Sequence, residues 1–365
     1  MKVVFITREG YELSGARVRC HNFARELRIH GIDARVFSFA DQFGALYGEK
    51  EFGMSLPYKV WLNILALKTF LKEDPGTVFI LQRFNYHALA PLLAAGIKKN
   101  RVVFDCDDWN IRENPVYHFG FYPSSKMEYL TRCVAGKSVL CLAASHYLQE
   151  YLKPFNPRTA YVPTGVDTQK FCPCSGHQRD DVVFSWVGTA YHADMGDNLD
   201  FLLACFGSLA DRYAHIKLNL AGEGKYFEQF RVKVSQHRHA ARIKVDPWIT
   251  ADAMPGYLAG VDAGLLPLIQ PTKFNLSKSP TKLFEYMAMG LPTVASITGE
   301  AGHILQQGKT GLLARDQPEF QAGMQLLIDN PALRLTMGQC ARQTIEAAYS
   351  LKILGGQLAG LLKDL

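Results

Sequence analysis

The chain has 365 residues, of which 48% are hydrophobic and 12% aromatic, and this is enough apolar material for two well-packed domains. No apolar run approaches the roughly 20 residues that a transmembrane helix needs, and the first residues lack the basic region and apolar core of a signal peptide. The net charge of +6 comes from residues 1–175, with 22 Lys and Arg against 16 Asp and Glu, while residues 176–365 carry 18 of each.

This charge distribution has two interpretations. A difference of this size arises by chance, or the first half meets an anionic partner such as a phospholipid surface or a diphosphate-bearing acceptor. The aromatic runs, helix-turn-helix spacing and basic tails of nucleic-acid-binding proteins are absent from the sequence, so nucleic acid is not an expected partner.

The eight cysteines are scattered along the chain. Cys172-Pro173-Cys174 has neither the CxxC spacing nor the second pair of a zinc site, so we expect no metal ion. The cysteine usage indicates a reduced, cytoplasmic protein.

Strands alternate with helices along the first half. The helix 16–30 repeats apolar residues at helical spacing and ends at Gly31. The segment 153–174 is rich in proline and has little periodicity, so we interpret it as the connection between domains. Strands are predicted at Lys2–Thr7, 34–39, 77–82, 101–105 and 138–143.

The loop "REGYELSGARVR" (residues 8–19) joins the first strand to the first helix. Gly15 allows a tight turn, and Arg17 lies in the first helical turn, where a cation is unfavourable against the helix dipole unless an anion is bound. We therefore expect Ser14, Gly15 and Arg17 to contact an anion or the acceptor, the alternative being a solvated turn.

Two further features of the first half suggest function. The helix 58–72 carries Trp61 and three lysines beside an apolar stripe, which favours a packed helix over one lying on a membrane.

The segment "VVFDCDDWN" (residues 102–110) ends a strand in three aspartates, which are costly to bury together. Asp107 and Asp108 are thus candidates for binding sugar hydroxyls, accepting a proton or binding a metal, unless they only cap a helix.

The second half repeats the alternation, with strands at 182–187, 216–221, 243–245, Ala263–Leu266 and Thr293–Ser296. The pattern predicts an α/β fold of two Rossmann-like, doubly wound parallel sheets. We expect domains at 1–170 and 171–345, with a final helix at 346–365 packing back on the first domain. The two sheets are expected to face each other across a cleft that holds the ligand.

One glutamate, Glu285, stands in an otherwise apolar helix within "SPTKLFEYMAMGLPTVAS" (residues 279–296). From these residues alone it is either a core carboxylate satisfied by its neighbours or a ligand-binding group.

Seven segments resemble glycosyltransferases of family 4, in the order found in that family. They are "LCLAASHYLQEYL", "YVPTGVDTQKF", "VVFSWVGTA", "KLNLAGEGKYFEQF", "AGVDAGLLPL", "KLFEYMAMGLPTVAS" and "GEAGHILQQGKTGLLA". The resemblance implies a GT-B enzyme that moves a hexose from a UDP- or GDP-linked sugar to a glycan, a lipid-linked acceptor or a small molecule. It further implies retention of configuration, no metal and no other cofactor, and a role in polysaccharide or glycolipid synthesis. The location would be cytoplasmic, or peripheral on the inner face of a membrane.

The resemblance also implies roles for single residues. Glu285 matches the glutamate that accepts hydrogen bonds from the ribose diol, and Trp248 lies where the family holds the base. Asp107 occupies the position where many relatives carry a histidine near the reacting sugar, so we expect it to act on the reaction ahead of Asp108. The remaining donor-binding candidates lie at strand ends and around the start of the Glu285 helix: Gly188, Gly222, Lys278, Pro280, Thr281 and Lys282.

Two departures from the family pattern alter these expectations. Ser277 stands where the family has its first motif glutamate, and the basic pair after Gly188 is absent. Lys278 and, as a catalytic group, Lys282 are therefore expected to neutralise the diphosphate. The alternatives are a GT-B nucleotide-sugar epimerase or a catalytically inactive subunit that binds sugar nucleotides.

Overall fold

Short, uninterrupted apolar runs form the strands, as expected for parallel sheets that helices cover on both faces. Val3, Val4, Phe5 and Ile6 are fully buried in the first strand, and every residue of Val78–Gln82 is buried. The computed structural model describes residues 1–45, 54–112, 116–173 and 180–365.

The chain divides into two units. The first unit contains Met1–Thr164, Ser277–Ser279 and Leu351–Leu365, and the second contains Gly165–Leu276 and Pro280–Ser350. The predicted boundaries at residues 170 and 345 both lie inside the second unit.

The chain joins the second unit at Gly165 because hydrogen bonds hold the following residues there. The N–H of Val166 donates to the carbonyl of Tyr349 at 3.1 Å. The Arg342 guanidinium donates to the carbonyls of Thr168, at 2.9 Å, and Phe171. Backbone polar groups in such a connection need partners when they are buried.

The first unit contains a six-stranded parallel sheet in the order β2-β1-β3-β4-β5-β6. Its strands are β1 (Lys2–Thr7), β2 (Asp33–Ser38), β3 (Val78–Gln82), β4 (Arg101–Cys106), β5 (Leu140–Ala143) and β6 (Thr159–Tyr161). A short antiparallel hairpin, Tyr117–His118 with Tyr122–Pro123, follows β4.

The helices of the first unit flank this sheet. They are Ser14–Ala16, the π-helical turn Arg17–His21, Asn22–Ile29, Phe39–Phe43, Leu56–Phe70, the 3-10 turn Tyr86–Ala88, Leu89–Lys98, Glu128–Lys137, His146–Leu152 and Leu351–Lys363. Within the described ranges, no helix combines the length and apolar composition needed to cross a membrane.

The second unit contains another six-stranded parallel sheet, in the order β9-β8-β7-β10-β11-β12. Its strands are β7 (Val182–Thr189), β8 (Ile216–Glu223), β9 (Ile243–Asp246), β10 (Ala263–Leu266), β11 (Thr293–Ser296) and β12 (Leu312–Ala314). The strand order reverses between β7 and β10, and in open parallel sheets ligands bind beside such a reversal. The prediction of two doubly wound parallel sheets is confirmed.

The helices of the second unit are Ala193–Ala210, Lys225–Ser235, the 3-10 turn Ala240–Arg242, Met254–Leu258, Lys273–Ser277, Thr281–Ala288, Ala301–Ile304, Gln317–Asp329, Pro331–Thr344 and the π-helical turn Ile345–Tyr349. Tyr286 anchors the helix Thr281–Ala288 to the sheet, because its hydroxyl accepts from the N–H of Val187 at 3.1 Å. Gly264 makes room for this ring, since a Cβ there would lie 2.3 Å from a ring carbon of Tyr286.

The helix Leu351–Lys363 belongs to the first unit, where it packs against Asn22–Ile29. Gly355 permits this contact, because a Cβ there would lie 2.5 Å from the Cβ of Glu26. The side-chain amide of Gln357 donates to the carbonyl of Tyr161 at 2.9 Å. The helix thereby covers one face of the first sheet.

The first sheet also buries an ion pair. Arg19 is 1% exposed, and its Nε donates to both carboxylate oxygens of Asp105, at 3.1 and 3.0 Å. Its Nη1 donates to the carbonyl of Val162 at 2.6 Å. This one guanidinium therefore links the first helix to β4 and to the residue after β6.

Replacing Arg19 by Met should destabilise the first unit by about 3–5 kcal/mol, because the Asp105 carboxylate would remain buried without its partner. Chemical denaturation followed by circular dichroism measures this loss. The double variant Arg19→Met with Asp105→Leu should recover much of it. Arg17→Met, a change at a half-buried arginine two residues away, should shift stability by no more than about 0.5 kcal/mol. Equal, small effects of both single substitutions would contradict the structural role of Arg19.

Candidate functional site

Glycines bring the ends of β7 and β8 close together. Gly188 and Gly222 are paired in register, and a Cβ on Gly222 would lie 2.2 Å from the carbonyl oxygen of Gly188. Gly224 has φ +115° and lies against the backbone of Ala190. Of the two predicted donor-site glycines, Gly222 is required by the close backbone of Gly188, and Gly188 by the ring of Trp186, 2.7 Å from a Cβ there.

Glu285 lies in the helix Thr281–Ala288, which has a buried apolar face formed by Leu283, Phe284 and Met287. Glu285 itself is 9% exposed, and its Oε2 accepts a hydrogen bond from Lys282 Nζ at 3.0 Å. The carboxylate is therefore paired by a lysine one turn earlier on the same helix and is not an orphaned core acid.

Lys282 also contacts Trp248. Its Nζ lies 5.6 Å from the centroid of the Trp248 ring, within the range of a cation–π interaction. Three residues that the sequence singled out for donor binding, Trp248, Lys282 and Glu285, therefore meet in the second unit. We call these three residues the donor cluster.

Lys282 of the donor cluster lies in the first turn of the helix Thr281–Ala288, and Glu285 lies in the second turn. Pro280 precedes Thr281 and carries no side chain that can cap the first-turn N–H groups. The helix dipole places partial positive charge at this end, which favours bound anions.

The opposite end of this helix has a partner that the sequence reasoning missed. The guanidinium of Arg342 donates to the carbonyl of Ala288, the last residue of the helix, as well as to Thr168 and Phe171. A cation at a helix C-terminus is stabilising, so Arg342 holds the helix that carries the donor cluster. No local motif marks this arginine.

In the first unit Asp107 is paired by Arg83. The Nε of Arg83 lies 2.5 Å from Asp107 Oδ1, and its Nη2 lies 2.9 Å from Oδ2. Gln82 Nε2 donates to Oδ2 at 2.8 Å, and Arg83 Nη1 donates to Glu9 at 3.0 Å. Arg83 itself has φ +56°, which is costly for a residue with a side chain and persists only where the surroundings impose it.

The neighbouring carboxylates differ electrostatically. Burial has the largest single effect on the pKa of Asp107 and raises it, but Arg83, Arg19 and the hydrogen bond from Gln82 together outweigh burial, so that the pKa is lowered. Burial raises the pKa of Asp108, and the positive charges of Arg83 and Lys278 offset only part of this rise. Asp108 is half-buried, with Oδ1 accepting the N–H of Trp109 at 2.8 Å. Of the two candidates, Asp108 has the chemistry of a proton acceptor, whereas Asp107 is committed to Arg83.

The loop predicted to bind an anion packs against the same network. A Cβ on Gly15 would lie 2.5 Å from Glu9 Oε2, and Gln82 donates to the Gly15 carbonyl at 3.2 Å. Ser14 begins the first helical turn. Arg17 donates to the carbonyl of Glu12 at 2.9 Å, so its guanidinium supports the loop. The arginine of this loop that enters the core is Arg19.

Ser277–Ser279 group with the first unit. Ser277 is buried, and its Oγ accepts the N–H of Trp109 at 3.0 Å. Lys278 lies near Asp108, and its positive charge lowers the pKa of Asp108.

In the described parts of the chain, no three His, Cys, Asp or Glu side chains are grouped in a way that would hold a metal ion. Cys174 lies outside the described residues.

Part of the chain matches a known protein family. Residues 181–330 match the family model of glycosyl transferases group 1. The chain is 24% identical over 246 residues to a GDP-mannose-dependent alpha-(1-6)-phosphatidylinositol monomannoside mannosyltransferase of Mycobacterium tuberculosis, covering 64% of each chain. The match thus spans somewhat less than two thirds of that relative.

Solved structures match over the whole chain. Sucrose-phosphate synthase from Thermosynechococcus elongatus superposes with a TM-score of 0.78 at 13% identity, covering 100% of this chain and 98% of that one. Anabaena HepE, in complex with UDP and glucose, gives 0.73 at 15% identity and covers 100% of both chains. The fold is therefore GT-B. The stretch that matches the group 1 glycosyl transferase model, residues 181–330, lies almost entirely within the second unit.

Proposed function

We propose that the protein is a glycosyltransferase that moves a hexose from a nucleoside diphosphate sugar to an acceptor. The observation that carries this proposal is the donor cluster: a carboxylate, a lysine and a tryptophan gathered at a helix N-terminus in the unit that matches the family model. The second unit would bind the donor and the first unit the acceptor.

Each member of the donor cluster suits one part of a nucleoside diphosphate sugar. A carboxylate with two acceptor oxygens can bind both hydroxyls of a ribose diol. The ring of Trp248 offers a stacking face for the base. Lys282 and the helix N-terminus would neutralise the diphosphate, because an ammonium and first-turn N–H groups both favour negative charge.

The same groups supply the chemistry. Negative charge grows on the diphosphate as the sugar departs, so Lys282 and the helix dipole would stabilise the transition state more than the bound donor. The acceptor hydroxyl must lose a proton, and we assign its capture to a carboxylate of the first unit, with Asp108 in the better electrostatic position. We propose that transfer retains the anomeric configuration and needs no metal.

The relatives suggest the donor and acceptor classes. The mycobacterial relative is GDP-mannose-dependent and acts on a phosphatidylinositol mannoside, while HepE is in complex with UDP and glucose. We infer a UDP- or GDP-linked hexose as donor and a glycan or lipid-linked acceptor. The relatives do not favour the epimerase.

Transfer, epimerisation and binding without turnover are separated by one assay. The purified chain is incubated with UDP- and GDP-linked hexoses and a mixture of glycan and lipid-linked acceptors, and the products are identified by mass spectrometry. We expect a glycosylated acceptor and free nucleoside diphosphate. An epimerised sugar nucleotide, or nucleotide binding by thermal shift with no product from any pair, would contradict the proposal.

Asp107→Asn and Asp108→Asn should both lower turnover while nucleotide affinity stays within about threefold, because both belong to the first unit. If Asp108 accepts the proton, wild-type activity should rise with pH through the raised pKa of Asp108, and this limb should vanish in Asp108→Asn. Asp107 should act through Arg83, so Arg83→Met should reproduce the loss seen in Asp107→Asn. Full activity in both aspartate variants would reduce the cluster to a structural role.

Glu285→Gln should weaken nucleoside, nucleoside diphosphate and sugar nucleotide binding alike, because the ribose contact is common to all three. A charge-assisted hydrogen bond is worth roughly 1.5–3 kcal/mol, or about tenfold to a hundredfold in affinity. Isothermal titration calorimetry measures this change. Glu228→Gln, at an exposed glutamate of the same unit, is the matched control and should bind normally. Unchanged affinity in a folded Glu285→Gln would refute the ribose assignment.

Lys282→Ala should weaken nucleoside diphosphate binding more than nucleoside binding, and should lower turnover further, because the charge on the diphosphate grows as the sugar departs. Inhibition constants for both ligands, together with kcat, test this order. Lys233→Ala removes another paired lysine of the second unit and should change none of these values. Equal losses for nucleoside and nucleoside diphosphate would mean that Lys282 only supports Glu285 and Trp248.

A further inference from the structure

The helix Leu56–Phe70 is apolar on two sides. Its inner side buries Leu62 and Ala66 against the first unit, while its outer side exposes Val60, Trp61 and Ile64, with Trp61 50% exposed. A surface helix normally turns a polar face to water, and a helix that is hydrophobic all round is normally covered all round. Exposure of this apolar outer side to water is therefore unfavourable.

The neighbouring helix Leu89–Lys98 repeats this pattern. Ala90 and Ala94 are buried, while Leu89, Leu93 and Ile97 are exposed, with Ile97 65% exposed. Residues at this four-residue spacing lie on one side of a helix. The second helix thus also presents an outward apolar stripe.

A buried hydrogen-bonded junction holds the two helices together. Asn63 Oδ1 accepts the N–H of Ala90 at 2.9 Å, and Asn63 Nδ2 donates to the carbonyl of Tyr86 at 2.9 Å. Ile64 follows Asn63, and Leu89 precedes Ala90, so both exposed stripes include a residue beside this junction. We call the six exposed side chains the outer apolar face: Val60, Trp61, Ile64, Leu89, Leu93 and Ile97.

The charges around the outer apolar face have one sign. Residues 54–72 and 84–99 contain no Asp or Glu. Lys68, Lys72 and Lys99 are exposed, and Lys98 is half-buried. The acid that follows Lys72, Glu73, is buried and paired with Lys2 and Arg35, and Asp74 comes after it. The positive rim thus accounts for part of the basic excess of the first half of the chain.

We propose that the outer apolar face docks on a lipid bilayer that carries anionic headgroups. Leucine and isoleucine side chains enter the acyl boundary, a tryptophan ring lies at headgroup level, and lysines extend to the phosphates. A protein partner fits less well, because lysine is depleted in protein–protein interfaces. This surface is separate from the donor cluster and does not depend on the proposed transfer activity.

The proposal is tested with the full chain and two kinds of vesicle, one of phosphatidylcholine alone and one of phosphatidylcholine and phosphatidylglycerol in equal parts. Co-sedimentation should show binding to the anionic vesicles that weakens as salt is raised, because exposed charges are screened. Trp61 is the most exposed of the four tryptophans, all of which lie in described parts of the chain. Its emission should shift to shorter wavelength on binding, and Trp61→Phe should remove this shift.

Two independent pairs of substitutions separate the apolar and electrostatic contributions. Trp61→Ser with Ile64→Ser should reduce the partition coefficient by about tenfold or more. Lys68→Gln with Lys72→Gln should reduce it by about fivefold per lysine at low salt. Leu335→Ser, at a 70% exposed leucine of the second unit, is the matched control and should bind as wild type.

The proposal would be overturned by no binding to either vesicle, by equal binding to both, or by full binding of both paired variants. The hairpin after β4 also exposes Phe119 and Phe121, and it is the competing surface. If Phe119→Ser with Phe121→Ser abolishes binding while the helix variants retain it, the membrane contact lies in the hairpin and the proposal is wrong. Circular dichroism of every variant shows that the loss is not one of folding.

Discussion

The structure depends on one electrostatic constraint, which is that a carboxylate removed from water must have a cationic partner. Three carboxylates each have such a cationic partner. Asp105 is paired by Arg19, Asp107 by Arg83, and Glu285 by Lys282. The partners come from different distances along the chain: Lys282 lies one helical turn from Glu285, whereas Arg19 and Arg83 reach their aspartates across neighbouring elements of the first sheet.

The ion pairs differ in how accessible they are to solvent, and this difference separates a pair that stabilises the fold from one that is a candidate for binding a ligand. The Arg19–Asp105 pair is fully buried within the first unit, so it ties a helix to β4 and to the residue after β6 and is closed to a ligand. Glu285 and Lys282 are partly accessible, with 11% and 21% of their side chains exposed, so they remain open to a ligand. The same residue types thus support the fold in one place and form a candidate binding site in the other, and solvent access makes the difference.

The first unit combines a polar interior at its strand ends with an unusually apolar exterior on two helices. Asn63 supports this exterior, because it satisfies a backbone N–H and a backbone carbonyl where the helices meet. The two helices are therefore firmly joined beneath a surface that water solvates poorly. A rigid apolar surface with a lysine rim suits reversible attachment to a membrane better than insertion.

The sequence by itself determined the two parallel sheets, because apolar runs alternating with helical periodicity leave few other folds. It also placed Glu285, Lys282 and Trp248 in one candidate site, since their segments resemble a family in the same order. It did not find Arg83 or Arg342, and it did not predict that Arg17 donates to the carbonyls of Tyr11 and Glu12 in its own loop. Only the tertiary structure decided these points, because a buried charge finds its partner through the packing of distant segments and leaves no local pattern in the chain.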